Sequence, residues 1–418
     1  GSVGRAVGRS RRLRGRKVGW RNRYGDCCEK EDEPYDILLD DFEPEMKTSE
    51  VSRIFSEIKP ELVRLIADLR DREVDDSFLR SDFPIDEQVA LDYEVVDMFG
   101  HRPNSWRVDP TEHPFASGAG IDDIRITTHY YPKELKSLFS TMHEYGHGLY
   151  AHQLPREYAH LPVGQHTSLG MHESQSRLWE NLVGRGLPFW RFFYPRLQAR
   201  FPKQFAGVDV EQFYAAVNKA QPSLIRIEAD EVTYGMHVIL RFELEQDIIN
   251  GRVELKDLPQ RWAEKMDEYL GIEVTDHAHG VLQDMHWASG LIGYFSTYLL
   301  GTVMSVQIWE KADDELGGLD DQIERGEFLL SATRAGTYRI RTVHIGFRPF
   351  VSDPMVLVAG QTLTPRLSLT AIPFALEAIR TAGQSACRPS ARAPPVPPRP
   401  PPPRAPPPPP APPPPPRP

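Results

Sequence analysis

PKELKSLFSTMHEYGHGLY, residues 132–150, is the stretch from which the rest of the chain can be read. Pro132 predicts a helix start, and Leu135, Leu138, Phe139, Met142 and Leu149 recur at helical spacing on one side. Within it, His143-Glu144-Tyr145-Gly146-His147 is an H-E-x-x-H pattern. The i, i+4 spacing puts both imidazoles on one helix face, about one turn apart. That separation suits two neutral nitrogens meeting one tetrahedral zinc at about 2 Å. Glu144, beside the first ligand, is placed to reach a metal-bound water rather than the metal. Gly146 and Gly148 each cost a helix about 1 kcal/mol relative to Ala. Their presence predicts that another backbone or a substrate comes close to this helix.

A catalytic zinc needs a third protein ligand and an open position. After a loop containing Pro and Gly, His172-Glu173-Ser174-Gln175-Ser176-Arg177 begins another predicted helix, ending near Gly184. Glu173 is the candidate ligand and His172 the competing one. Arg177 and Glu180 are helical neighbours of Glu173 and candidates to support it.

Further out, the chain divides by composition. Of its 418 residues, 40% are hydrophobic and 26% charged, as in an ordinary soluble globular protein. The net charge of −10 argues against nonspecific nucleic-acid binding. No run of about 18 apolar residues predicts a membrane span, and the N-terminus lacks a signal peptide's apolar core. The three cysteines suggest neither a disulfide framework nor a thiolate zinc site, so a reducing, cytoplasmic compartment fits. Residues 1–26 are Arg- and Gly-rich and read as a disordered basic segment. Residues 27–327 read as mostly helical. Pro60 predicts a helix start, Pro222 a long helix ending at Gly251, Gln260–Leu270 a shorter one closed by Gly271, and 280–315 a helical stretch rich in glycine and aromatics. Residues 328–379 alternate and read as a small β-rich unit. Residues 380–418 are Pro-rich and read as a solvated, disordered tail.

Six blocks occur in order: His113-Pro114-Phe115; Asp123-Ile124-Arg125-Ile126-Thr127-Thr128; HEYGHGLY; MHESQSRLWEN; IRIEADEVTYGMH; and GVLQDMHWASGLIGYF. Together they resemble the Taq-type thermostable carboxypeptidase family of HExxH metallocarboxypeptidases, over roughly residues 30–327. The resemblance implies a mainly α fold with a deep groove and a small sheet, zinc or alternatively cobalt at the site, peptide substrates and a homodimer. It assigns His143, His147 and Glu173 to the metal and Glu144 to the general base. Against the family pattern, the chain lacks helices before EPYDILLDDFEP and after about Glu327. There AGTYRIRTVHIGFRPF resembles part of a carboxypeptidase-regulatory-like β domain instead. His129 stands where relatives often have Arg.

An exopeptidase must recognise a free carboxylate, which the planar guanidinium fork of arginine does best. Arg226 is the first candidate, on the helix predicted from Pro222, where Arg226, Asp230, Thr233 and His237 form a polar stripe. Arg125 is the second, with a structural salt bridge to Asp123 as its alternative. His237, Tyr294 and His286 are candidate donors to the oxyanion or the substrate backbone, whereas Trp287 and Phe295 read as core packing. The expected activity is a zinc carboxypeptidase. An HExxH endopeptidase or dipeptidase, and an inactive relative that binds metal without turnover, are the alternatives.

Overall fold

The computed structural model describes residues 33–100, 105–159 and 161–325, with positions 18–19, 21, 23–24 and 27 before them and short stretches between 336 and 357 after. From residue 33 on, the first helices are α1 (Pro34–Asp40), α2 (Thr48–Leu69) and α3 (Ile85–Met98). A small sheet follows, from β1 (Trp106–Pro110), β2 (Ala116–Gly120) and β3 (Asp123–Thr128). Then come α4 (Lys136–His152), α5 (Leu169–Arg177), α6 (Leu187–Arg200), α7 (Val210–Val217), α8 (Glu231–Ile249) and α9 (Leu258–Leu270). The short α10 (His286–Ser289), α11 (Ser296–Leu316) and α12 (Leu319–Glu324) complete the helices. The fold is mainly α with one three-stranded sheet in the order β1-β3-β2, β1 parallel and β2 antiparallel to β3. No described helix is long and apolar enough to cross a membrane.

Several elements depart from the pattern read in the sequence. α2 starts at Thr48 and runs through Pro60, which stands inside the helix and leaves the Ser56 carbonyl without its helical N–H partner. The long helix predicted from Pro222 begins only at Glu231. Asp230 is its N-cap, accepting from the backbone N–H groups of Val232 (2.9 Å) and Thr233 (3.0 Å). Arg226 therefore lies outside that helix, in a 3-10 turn over Arg226–Glu228, and the proposed polar stripe does not exist. Of residues 280–315, only α10 and α11 are helical. α9 ends as expected, with Gly271 at φ 63°. Within the basic segment, Arg21 donates to the Gly290 carbonyl (2.7 Å) and to Asp41 (2.8 Å). In the β-rich stretch, β4 (Gly336–Tyr338) pairs with β7 (Met355–Leu357) and β5 (Arg341–Thr342) with β6 (Phe350–Val351), all antiparallel. The Pro-rich tail at 380–418 lies outside the described residues.

Packing places α5 at the centre. One apolar core gathers α1, α2, α8, α9 and α11 around Phe242, Trp262 and Phe295; another gathers α3, α4, α6 and α7 around Trp190, Phe193 and Phe213. α5 is held between α4 and α11. A Cβ on Gly146 of α4 would lie 2.4 Å from the Gln175 carbonyl oxygen and 2.7 Å from the Ser176 Cα. A Cβ on Gly301 of α11 would lie 2.7 Å from the Glu173 Cβ and Cγ. The close approach foreseen at Gly146 is thus the backbone of α5. The start of α5 is pinned as well. Ser168 caps it by accepting from the Met171 N–H (2.9 Å), and buried Glu43 accepts from the Ser168 hydroxyl (2.6 Å) and the Gly170 N–H.

Glu245 on α8 is fully buried and accepts from the Tyr35 hydroxyl (2.6 Å), the Trp287 indole (2.5 Å) and the Gly293 N–H (2.9 Å). Burial outweighs these bonds and lifts its pKa from 4.5 to about 7. Asp92, buried against Thr141, is lifted to about 7 in the same way. Between the ordinary carboxylate range and about 7, the folded chain keeps protons that the unfolded chain has released. Stability from these groups therefore falls as pH rises through that window and is constant above it. Glu245→Gln is expected to flatten the dependence of the denaturation midpoint on pH between about 5 and 7; an unchanged slope would contradict this. Gly146→Ala, whose methyl meets backbone that cannot step aside, is expected to cost about 1–3 kcal/mol in chemical denaturation. A wild-type midpoint would show that the contact is not tight.

Candidate metal centre

His143 and His147 occupy one face of α4, with ring centroids 4.8 Å apart. Glu173 comes to them from the second turn of α5, buried between the two helices. Its Oε2 lies 3.4 Å from His147 Nε2 and 3.8 Å from His143 Nε2. One donor atom from each of the three residues lies within 4.8 Å of the others. The edge of a tetrahedron of ligands about 2 Å from a zinc ion is about 3.3 Å, so the spacing fits a single first-row divalent ion. The donor chemistry fits too: two imidazole nitrogens and one carboxylate form a set used by catalytic zinc. His172 offers no atom to this cluster. Its Nδ1 lies 2.6 Å from His147 Nδ1, on the far side of that ring.

Each member of the triad is backed by a second residue. Glu180 Oε2 meets His143 Nδ1 at 2.8 Å. Arg177 Nε donates to Glu173 Oε1 at 2.8 Å, and its Nη1 reaches Glu180 Oε2 at 3.4 Å. The His172 carbonyl lies 3.2 Å from His147 Nδ1. Burial opposes charge on His143, but Glu173, Glu180 and Glu144 outweigh it and raise its pKa to about 9. Burial likewise opposes charge on Glu173 and Glu180, yet Arg177 and the imidazoles hold Glu173 well below the usual carboxylate range and Glu180 at about 2. Glu144 differs. It is 6% exposed, its Oε2 has no hydrogen-bond partner among the described residues, and burial raises its pKa. It is a carboxylate poised to take up a proton.

Tyr294, Tyr298 and Tyr234 connect the triad to a second charged group. Burial raises the pKa values of Tyr294 and Tyr298; Glu173 is the next cause for Tyr294, while for Tyr298 the neighbouring Tyr234 and Tyr294 precede it. The Arg177 guanidinium lies 4.4 Å from the Tyr234 ring centroid. His286 Nε2 lies 3.1 Å from the Tyr298 hydroxyl, and its ring packs 5.4 Å from Tyr294. Beyond them Arg226, 6% exposed, donates to Asp284 from Nε (3.2 Å) and Nη2 (2.9 Å) and to the Tyr234 hydroxyl (3.0 Å). Arg241 shares the same carboxylate, at 2.5 Å. Asp284, Arg241, Tyr234 and Tyr298 were not singled out in the sequence, although Asp284 and Tyr298 stand two before and twelve after His286.

Two further candidates, His237 and Arg125, sit in different surroundings. His237 is 0% exposed and sits inside α8 beside Arg241, so it offers no solvent-facing atom to a substrate. Burial, followed by the two neighbouring arginines, pushes its pKa well down and keeps it neutral. Arg125 forms the pair given as its alternative, donating to Asp123 through Nε and Nη2 at 2.9 Å each. Alternation along β3 explains why: Ile124 and Ile126 are buried, and Ile124 packs on Gly148 of α4, which turns Arg125 to the opposite, exposed face. Trp287 and Phe295 are buried core residues, as expected.

A family model described as carboxypeptidase Taq (M32) metallopeptidase matches residues 17–334, starting ahead of the boundary at 27 drawn from composition. Thermostable carboxypeptidase 1 of Thermus thermophilus is 44% identical over 341 residues, covering 80% of this chain and 66% of that protein. Carboxypeptidase 1 of Bacillus subtilis is 37% identical over 301 residues, covering 71% of this chain and 60% of that protein. The solved structure of Trypanosoma cruzi metallocarboxypeptidase 1 superposes with a TM-score of 0.72 at 33% identity, covering 77% of this chain and 69% of that one. This chain spans less than two thirds of the length of these curated relatives. On the extent of the match and the triad it contains, the chain belongs to the carboxypeptidase Taq (M32) metallopeptidase family.

Proposed function

We propose that the protein is a metal-dependent carboxypeptidase that removes single residues from the C-termini of peptides. The observation that carries the proposal is the convergence of His143, His147 and Glu173 next to a buried Glu144 whose Oε2 has no partner among the described residues. His143, His147 and Glu173 would hold a divalent ion, zinc or alternatively cobalt. Such an ion acts as a Lewis acid toward the scissile carbonyl and brings the pKa of a coordinated water from about 15.7 to about 7.

The chain's own residues supply the rest. Glu144 Oε2 takes the proton of the attacking water, and burial, by making the carboxylate more basic, favours that transfer. The same oxygen then delivers the proton to the leaving amine. Tyr294 stays protonated because burial raises its pKa, so it remains a donor toward the developing oxyanion, with His286 and Tyr298 packed behind it. Arg226 is proposed to receive the substrate's terminal carboxylate. Three of its five N–H groups are engaged, and with Arg241 it outnumbers Asp284 by one positive charge. The family resemblance favours a homodimer. The few cysteines favour a reducing, cytoplasmic setting.

Mass spectrometry of a model peptide incubated with the full chain and zinc tests the activity. Stepwise loss of single C-terminal residues, stopped by a chelator and absent with the C-terminally amidated peptide, is expected. Cleavage of the amidated peptide would favour an endopeptidase, and bound metal without turnover an inactive relative. Glu144→Gln is expected to retain metal while kcat/KM falls on the order of 10²–10⁴-fold; undiminished turnover would remove Glu144 from the base role. Metal must displace the proton that His143 holds below about 9, so apparent affinity should rise with pH up to that value and then level off. A flat pH profile in a chelator competition would contradict this.

A further inference from the structure

We infer that Glu180 is a positioning residue for the metal. It fixes the tautomer and ring orientation of His143, and Arg177 couples it to Glu173. The inference rests on the metal-dependent reading above.

An imidazole offers a metal only one nitrogen, and the hydrogen bond at the other decides which one. In His143, Nε2 faces Glu173 and Nδ1 faces Glu180 at 2.8 Å. An ionised carboxylate only accepts, so in the neutral ring that would bind metal Nδ1 carries the hydrogen and the Nε2 lone pair is directed into the triad. His147 is held differently, with the neutral His172 carbonyl and the His172 ring at its Nδ1. The two imidazoles are therefore unlike, and only His143 is backed by an anion.

The origin of Glu180 explains how one short segment does this. α5 ends at Arg177 and passes directly into a π-helical turn, Leu178–Val183, that carries Glu180. π-Turns are rare and concentrate at functional sites. Along this segment the charges alternate. Glu173 Oε1 meets Arg177 at 2.8 Å, Arg177 meets Glu180 Oε2 at 3.4 Å, and Glu180 Oε1 meets Arg185 at 3.6 Å. Side chains of Glu173, Arg177 and Glu180 are 7%, 11% and 16% exposed, so none can swing into solvent without abandoning its partner. Moving Glu180 therefore disturbs one ligand directly, through His143, and another through Arg177 and Glu173.

The test is titration of the full chain with Zn²⁺ against a chromophoric chelator, together with the visible spectrum of the Co²⁺-loaded protein. Wild type is expected to take up one ion. Glu180→Gln, with one acceptor oxygen in place of two and no charge, is expected to bind it about 10–100-fold more weakly. A shifted Co²⁺ ligand-field band is expected alongside, which a merely structural role would not produce. If the Gln variant does not fold, Glu180→Asp keeps the charge but falls short of Nδ1, and a several-fold loss with a shifted band is expected. Wild-type affinity and an unchanged band in whichever variant folds would overturn the inference. Failure of the wild type to take up metal would overturn the metal reading itself.

Discussion

The contact between the backbone of α5 and two glycines governs where the chemistry can occur. Gly146 lets α4 approach α5 from one side, and Gly301 lets α11 approach from the other, each at distances no Cβ would tolerate. Glu173 projects from the helix so confined. Its carboxylate reaches the imidazoles because both flanking helices are a methyl group closer than an ordinary packing distance allows. The acidic turn at Glu43 and the Ser168 cap fix the other end of α5, so the ligand helix is held at its start and along its length. Gly146 lies between the two histidines in sequence. One of the two glycines that set the spacing of the site, two of its three candidate ligands and its candidate base thus belong to one five-residue motif.

Electrostatics adds a second constraint. Burying a charge without a partner costs several kcal/mol, so the charged side chains here occur in connected sets. Glu173, Arg177, Glu180 and Arg185 form one chain; Arg226, Asp284 and Arg241 form another. Tyr234 links them, accepting from Arg226 through its hydroxyl and meeting Arg177 on its ring. Glu144 and Asp92 are buried carboxylates that each keep one oxygen without a partner among the described residues. Of the two, Glu144 adjoins His143, and it is the residue whose proposed role is to move a proton.

What could be read in the sequence was what helical periodicity fixes. The i, i+4 spacing of His143 and His147 implied their shared face, and Glu173 at the start of the next helix was within reach. The glycine at 146 implied a close neighbour. What could not be read depended on contacts distant along the chain. A proline at 222 looked like a helix start, but Asp230, eight residues later, offers a carboxylate that satisfies two orphan N–H groups, and the helix begins after it. Arg226 was consequently assigned to the wrong element. Arg125 and His237 were candidates by residue type; alternation along β3 puts the first on an exposed face and packing within α8 buries the second. Asp284 gave no local signal, since its importance comes from two arginines more than forty residues away.

The account turns on a single ion bound by α4 and α5 together. Crystals of the full chain grown with zinc, with anomalous diffraction collected on both sides of the zinc absorption edge, would test it most directly. One anomalous peak is predicted within bonding distance of His143 Nε2, His147 Nε2 and a Glu173 oxygen, with Glu144 close by but not coordinated. A peak bound by other residues, or one that leaves Glu173 out of the coordination, would contradict it.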